Sequence, residues 1–340
     1  MAVRSGCPRK DTMQYTRLGN SGLKVSSIAL GCMSFGDPAS GHLQWSLPED
    51  DALPYFRQAL DLGITFWDTA NVYSYGDSER IVGEALRQFA NRDEIVLATK
   101  AHFSDKPGTG PGLHVAGLSR KAIMQQIDAS LTRLGTDYVD LYQIHRFDPE
   151  TPVEETMEAL HDVVKAGKVR YIGASAMWTW QFAKMQHAAD LHGWTRFVSM
   201  QDQYSLLYRE EEREMFGLLA DQGVGSIPYS PLAKGRVARP AGEGTKRSSD
   251  DPVGNTFFAD TERDRPVIDA VQQIAADRGV PMAQIAMAWV LNNPVVTAPI
   301  VGATKPHHLD DAAAAVDIQL TPEEIDALEK HYTVRDAGGF

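Results

Sequence analysis

Apolar and polar positions change their period along this chain. MQYTRLG (13–19) and KVSSIAL (24–30) flank the turn signal GNSG, which predicts a β-hairpin near the N-terminus. Beyond it, short runs rich in Val, Ile and aromatic residues alternate with stretches of helical period. Eight such runs stand out: IALGCM, ITFWDT, EIVLATK, YVDLYQIH, VRYIGAS, RFVSMQ, GVGSIPY and VTAPIVG. They end near Met33, Asp68, Lys100, His145, Ser175, Gln201, Tyr229 and Gly302. Helices are expected over about 49–62 and over 78–89, where Ile81, Val82, Ala85 and Leu86 share one face. Ser119 is placed to cap the helix that carries Ile123, Ile127 and Leu131. Thr151-Pro152-Val153-Glu154 and Thr321-Pro322-Glu323-Glu324 both have capping-box spacing with proline at the first helical position.

Eight β/α units predict an α/β fold, a closed (β/α)8 TIM barrel. A doubly wound sheet is the competitor, but no Gly-x-Gly-x-x-Gly loop follows the first strand. The interval from Tyr229 to Gly302 is much the longest. Its segment 236–264, rich in Gly, Pro, Arg, Ser and Asp, reads as a long loop after strand seven, lying over one barrel face. Phe257 and Phe258 either cover a ligand there or anchor the loop. The expected organisation is one domain over 13–332 with terminal arms at 1–12 and 333–340.

Composition narrows the function classes. A net charge of −12 argues against a nucleic-acid surface. Two cysteines, Cys7 and Cys32, make neither a disulfide framework nor a metal signature. No stretch approaches the ~20 apolar residues of a membrane span, and no signal-type apolar run opens the chain. The expectation is a cytoplasmic protein acting on a small molecule, whether as monomer or homo-oligomer.

In such barrels chemistry gathers where strands deliver side chains to the C-terminal face. Asp68, Lys100 and His145 end three successive strands, and Tyr73 lies in the loop after Asp68. A lone strand-end Asp or Lys is often a structural ion pair; four residues of complementary type suggest a tuned phenol. A Lys100 ammonium would lower the phenol pKa from its usual value of about 10, with Asp68 holding the lysine. His145 would hydrogen-bond a substrate oxygen or relay a proton. Such a group protonates the alkoxide formed when a carbonyl accepts hydride, and no side chain supplies hydride, so a cofactor is implied.

DTANVYSYGDSE (68–79), LATK (97–100) and DLYQIHRFD (140–148) resemble the corresponding motifs of the aldo-keto reductase superfamily, and the likeness extends from Met13 to about Leu328. Ser74 stands where the family has a loop glycine. The resemblance implies a barrel closed at its base by the N-terminal hairpin, with Tyr73 as the general acid, partnered by Asp68, Lys100 and His145, and with NADPH/NADP+ as the cofactor and NADH as the alternative. It implies further that Ser175 and Gln201 hold the nicotinamide carboxamide and that Tyr229 stacks on its ring. In PYSPLAKGR, Ser230, Leu232, Lys234, Gly235 and Arg236 would serve the phosphates. In IVGATKPHHLDDA, Gly302, Thr304, Lys305 and His308 would face the adenosine phosphate and Asp311 the adenine. His307 and His308 are adjacent and lack spaced companions, so no metal site is expected.

Met33, Phe35, Trp67, Tyr75 and Trp178 lie near strand ends and are candidate walls of an apolar substrate pocket, with Cys32 beside them. SRKAIMQQIDASLTRLGTDYVDLYQIH resembles bacterial broad-range reductases near the potassium-channel β-subunit branch. That likeness keeps a second expectation open: a cofactor-binding, redox-sensing partner subunit with little turnover. A metal-dependent hydrolase on the same barrel is a weaker alternative.

Overall fold

The computed structural model describes residues 13–40, 43–105, 116–243, 258 and 260–337. Cys7, Phe257 and most of the arm and loop segments anticipated above lie outside that set. Two short strands, β1 (Tyr15–Arg17) and β2 (Lys24–Ser26), form the expected antiparallel hairpin. Eight parallel strands follow: β3 (Ala29–Gly31), β4 (Phe66–Asp68), β5 (Val96–Ala101), β6 (Val139–Ile144), β7 (Val169–Ser175), β8 (Phe197–Gln201), β9 (Gly225–Ser226) and β10 (Ile300–Gly302). Their order is sequential, and β10 pairs with β3.

Backbone bonds bring the two ends of the curled sheet together. Ser226 N donates to Val295 O at 3.0 Å, Thr297 N to Ser226 O at 2.7 Å, and Ile300 N to Pro228 O at 2.9 Å. The fold is thus a (β/α)8 barrel. Two of its strands are less than half as long as their apolar runs. Pro228 and Pro299 have no N–H to give a ladder, so β9 ends before the first and β10 begins after the second.

Helices alternate with the strands: α1 (Glu49–Asp61), α2 (Asp77–Phe89), α3 (Arg120–Leu134), α4 (Val153–Lys165), α5 (Thr179–His192) and α6 (Met215–Gln222). Four more follow: α7 (Thr261–Arg278), α8 (Met282–Leu291), α9 (His307–Ala315) and α10 (Pro322–Glu329). Ser119 caps α3, its hydroxyl accepting from Ala122 N at 3.3 Å. Thr321 and Glu324 form a reciprocal capping box at α10. Thr151 does not cap. Its hydroxyl donates to Asp148 at 2.7 Å and α4 begins only at Val153. The loop expected to run to residue 264 is also overextended at its end: Asp260 accepts from Arg263 N and starts α7 at Thr261.

Side chains alternate strictly across the strands. Trp67, Leu97, Ala101, Tyr142, Ile144, Ile172, Ala174 and Met200 face the helices and join the large outer core. Phe66, Val96, Ala98, Leu141, Ile227, Ala298 and Ile300 face inward and form a separate core with Leu18 and Val25 of the hairpin. The hairpin therefore plugs the base of the barrel. It can sit this close because Gly19, at φ +56°, has no side chain; a Cβ there would meet Gly223 O at 2.4 Å.

Candidate active site

The inward face of the same strands turns polar at the opposite end. Two residues beyond Phe66 comes Asp68; two beyond Ala98 comes Lys100; Gln143 follows Leu141 by the same step. Lys100 Nζ donates to Asp68 Oδ2 at 2.5 Å, to Thr69 O at 2.9 Å and to the Tyr73 hydroxyl at 3.3 Å. The Tyr73 ring meets His145 edge-on, centroids 5.8 Å apart. The four expected residues thus form one cluster.

Gln143 and Gln201 complete it. Both donate through Nε2 to Asp68 Oδ1, at 2.9 and 3.1 Å, and Gln201 also donates to Gln143 Oε1 at 3.1 Å. Asp68 is a buried carboxylate with three donors, the arrangement that makes a buried charge tolerable. Gln143 was missed in the sequence reading, although it lies two residues before His145 and hence on the same strand face.

The pKa directions correct one expectation. Burial raises the Tyr73 phenol above its ordinary value; Lys100 pulls it down, but less. Tyr73 is a protonated phenol held beside an ammonium, not a phenolate. Burial acts to lower Lys100, yet the Asp68 charge more than offsets it and the net direction is up. Burial, then the charges of Lys100 and Arg146, drives His145 well below the usual imidazole range. It is neutral, which favours hydrogen bonding to a substrate oxygen over a cationic proton relay.

The Tyr73 loop is built by its own sequence. Ser74, Tyr75 and Gly76 have φ of +47°, +55° and +88°, a left-handed run that turns the chain sharply into α2. Ser74 and Tyr75 take this conformation at a cost of about 1 kcal/mol or more each. A Cβ at Gly76 would meet Arg133 Cδ at 2.7 Å. The following residues anchor the turn: Ser78 bonds Thr69 at 2.9 Å and Cys32 O at 2.8 Å, and Glu79 accepts from Arg133 Nε at 2.6 Å. Asn71 ties the loop to Phe103 O and Gln126.

A cavity of about 1780 Å³ opens at this end. It is larger than the roughly 300–1,000 Å³ of a single small-ligand pocket. Asp68, Tyr73 and His145 line it, together with Ser175, Gln201, Tyr229, Ser230, Leu232, Lys234, Gly235, Gly302, Thr304, Lys305, His308 and Asp311. Ser175 Oγ donates to Gln201 O at 2.7 Å, His308 Nδ1 accepts from Thr304 N at 3.3 Å, and Asp311 accepts from Gln284 at 3.0 Å.

One wall has unusual backbone. Ser230, Ala233, Lys234 and Gly235 all have positive φ, between +48° and +87°. Turns of this kind favour an anion beside them, although Ala233 N and Gly235 N here donate to Ser230 O and Leu232 O. Arg239, on the same wall, has its pKa lowered by burial and by the nearby Arg236 charge. Lys234 and Arg239 bring positive charge to this wall, beside Glu243. Arg236 itself is not on the wall. Its guanidinium lies over the Phe258 ring at 5.6 Å, so Phe258 anchors a loop and Arg239 takes the expected cavity position.

The apolar substrate wall is different from the expected one. Met33 lines the cavity and is 38% exposed. Trp67 neighbours Asp68 on its strand and so points outward; it packs on Phe56 and donates to Ile64 O. Phe35 is buried against Tyr55 and Phe56. Cys32 is buried in the outer core, and burial pushes its thiol up. Tyr75 and Trp178 do not line the cavity; Trp178 stands largely exposed before α5. Trp45, Leu47, Val72 and Phe103 supply the apolar surface instead. Among the described residues no group of three or more His, Cys, Asp or Glu could hold a metal ion, and no helix is long and apolar enough to cross a membrane.

Residues 27–333 match the Aldo/keto reductase family. Versiconal hemiacetal acetate reductase of Aspergillus parasiticus is 46% identical, over 94% of this chain and 97% of that protein. An aldo-keto reductase of Fusarium vanettenii is 45% identical, over 96% and 93%. One of Alternaria alternata is 44% identical, over 96% and 93%. These relatives are fungal and give no support to the bacterial and channel-subunit branch that the α3–β6 segment resembled.

Proposed function

Because this chain belongs to the aldo/keto reductase family, we propose that it reduces an aldehyde or ketone to the alcohol with NADPH, Tyr73 acting as the general acid. The family acts on small-molecule carbonyl compounds and generally uses NAD(P)H. The observation that carries the finer reading is the buried Lys100–Asp68 pair with Tyr73 and His145 at the mouth of a cavity large enough for cofactor and substrate together. The catalytic unit is taken as one barrel domain, 13–332.

When bound, the nicotinamide supplies hydride to the carbonyl carbon. Every other part is done by the chain. Tyr73 and neutral His145 hydrogen-bond the carbonyl oxygen and polarise it. As negative charge develops there, Tyr73 gives up its proton. The Lys100 ammonium, held by Asp68, stabilises the phenolate left behind. Ser175 and Gln201 would hold the carboxamide; Gln201 Nε2 is committed to Asp68 and Gln143, which leaves its carbonyl end for this. Tyr229 would pack on the ring. Ser230, Leu232, Lys234 and Gly235 would cradle the pyrophosphate. Thr304, Lys305, His308 and Arg239 would take the 2′-phosphate, and Gly302 and Asp311 the adenosine. NADPH is preferred over NADH because the Lys305 and Arg239 cations suit an anionic partner.

The test is the initial rate of cofactor oxidation with 4-nitrobenzaldehyde, NADPH against NADH. Turnover favouring NADPH at least tenfold supports the reading. Tight cofactor binding without turnover would replace it by a redox-sensing binding subunit.

A further inference from the structure

Arg146 directly follows His145 where β6 ends, and it lines the cavity. One of its five donors, an Nη1 N–H, goes to the His145 carbonyl at 2.6 Å. Among the described residues no carboxylate lies within salt-bridge distance of it. Its charge reaches the reacting groups, favouring ionised Tyr73 and Tyr229 and disfavouring protonated His145.

Gln203 lines the same cavity from beyond β8. It is 3% exposed, and its Nε2 has no hydrogen-bond partner. A buried, unpaired amide donor is costly, so such a group calls for an explanation. Pairing of Ile144 with Ala174 and of Ala174 with Met200 sets the ends of β6 and β8 two strand spacings apart, roughly 10 Å. Arg146 and Gln203 therefore flank one stretch of the rim, on either side of β7. Met33, Val72 and Phe103 supply apolar surface in the same cavity.

We propose that Arg146 and Gln203 form an anion-recognising subsite at the substrate end of the cavity, which selects carbonyl compounds that also carry a carboxylate. Both groups are donors only at these atoms, and the planar guanidinium fork matches two carboxylate oxygens. The nearby Asp202 carboxyl is buried and pushed up to about 7 by that burial. It makes no salt bridge with Arg146, so the guanidinium keeps its donors for a ligand. The subsite rests on the reductase reading, since it orients the carbonyl toward Tyr73.

The test compares 4-formylbenzoate with 4-formylbenzamide, a neutral compound of nearly the same shape. In the unaltered enzyme kcat/KM should favour the carboxylate at least tenfold. Arg146→Met should cut that ratio at least fivefold, and Gln203→Met in the same direction by less. No preference in the unaltered enzyme, or a ratio in Arg146→Met changed less than fivefold, overturns the subsite. Calorimetric binding of the two aldehydes without cofactor gives the same comparison independently of turnover. An enzyme that discriminates in binding but never turns over refutes the reductase reading and keeps the subsite. Should Arg146→Met fail to fold, Arg146→Lys, which keeps the charge and loses the fork, takes its place and should lower the ratio at least threefold; a smaller change overturns the proposal.

Discussion

The two ends of the barrel interior are made by the same strands and do opposite things. At the base, Phe66, Val96, Ala98 and Leu141 meet Leu18 and Val25 of the hairpin in an apolar plug. Two residues further along those strands stand Asp68, Lys100 and Gln143, all buried and all polar. The alternation that sends these residues inward is the same at both ends; only the chemistry of the side chains changes. An apolar plug needs complementary shape and tolerates modest repacking. A buried ion pair needs every donor and acceptor placed, and loss of one partner strands a charge. The base should therefore govern stability and the mouth catalysis, with the ion pair serving both.

That division can be broken at several points. The largest effect should come from Lys100→Met. It removes the ammonium from Asp68 and Tyr73, so turnover should fall by orders of magnitude. It also leaves a buried carboxylate, at a cost of up to about 3–5 kcal/mol, moderated by the two glutamine donors. The double variant Asp68→Asn, Lys100→Met should recover most of the stability and none of the rate, read by denaturant unfolding and by kcat. Recovery of rate would place the chemistry elsewhere.

Next in size is Leu18→Ala in the fully buried plug. It should cost about 2–5 kcal/mol in unfolding free energy while kcat on 4-nitrobenzaldehyde stays within twofold. A large fall in kcat would mean that the ends are mechanically coupled. The smallest effect is that of pH. Reduction needs Tyr73 protonated, and burial raises its pKa. It also needs His145 neutral, and burial with the Lys100 and Arg146 charges lowers its pKa. Both shifts widen the active range, so kcat/KM should be flat from about pH 6.5 to about pH 9. An alkaline decline with a midpoint below 9 would show that Lys100 dominates the phenol after all.

Much of this was legible because strand parity and strand-end position are written in the chain. VRYIGAS coincides with β7, and Asp68, Lys100 and His145 converge around Tyr73 as their places at successive strand ends require. The same parity, applied more strictly, would have excluded Trp67, which is adjacent to Asp68 and must face away from it. It would also have found Gln143 and Gln203, each two residues from a recognised site residue. Other misses have no such local signal. Phe35 follows a 3-10 turn where alternation no longer holds. Arg236 turns away because Phe258, distant in sequence, offers its ring. Thr151 gives its hydroxyl to Asp148 instead of the α4 N-terminus, a competition decided by loop geometry. The direction of the Tyr73 shift depends on burial, which three-dimensional packing sets.

The central claim is that the buried phenol at the mouth of the barrel donates the proton. Replacing Tyr73 with Phe keeps the ring and removes only the hydroxyl. The decisive measurement is kcat of Tyr73→Phe on 4-nitrobenzaldehyde, with NADPH affinity determined on the same protein. The account expects turnover reduced by at least a thousandfold with cofactor affinity within about threefold of the unaltered enzyme. Near-normal turnover with cofactor bound would contradict it and assign the proton to another group.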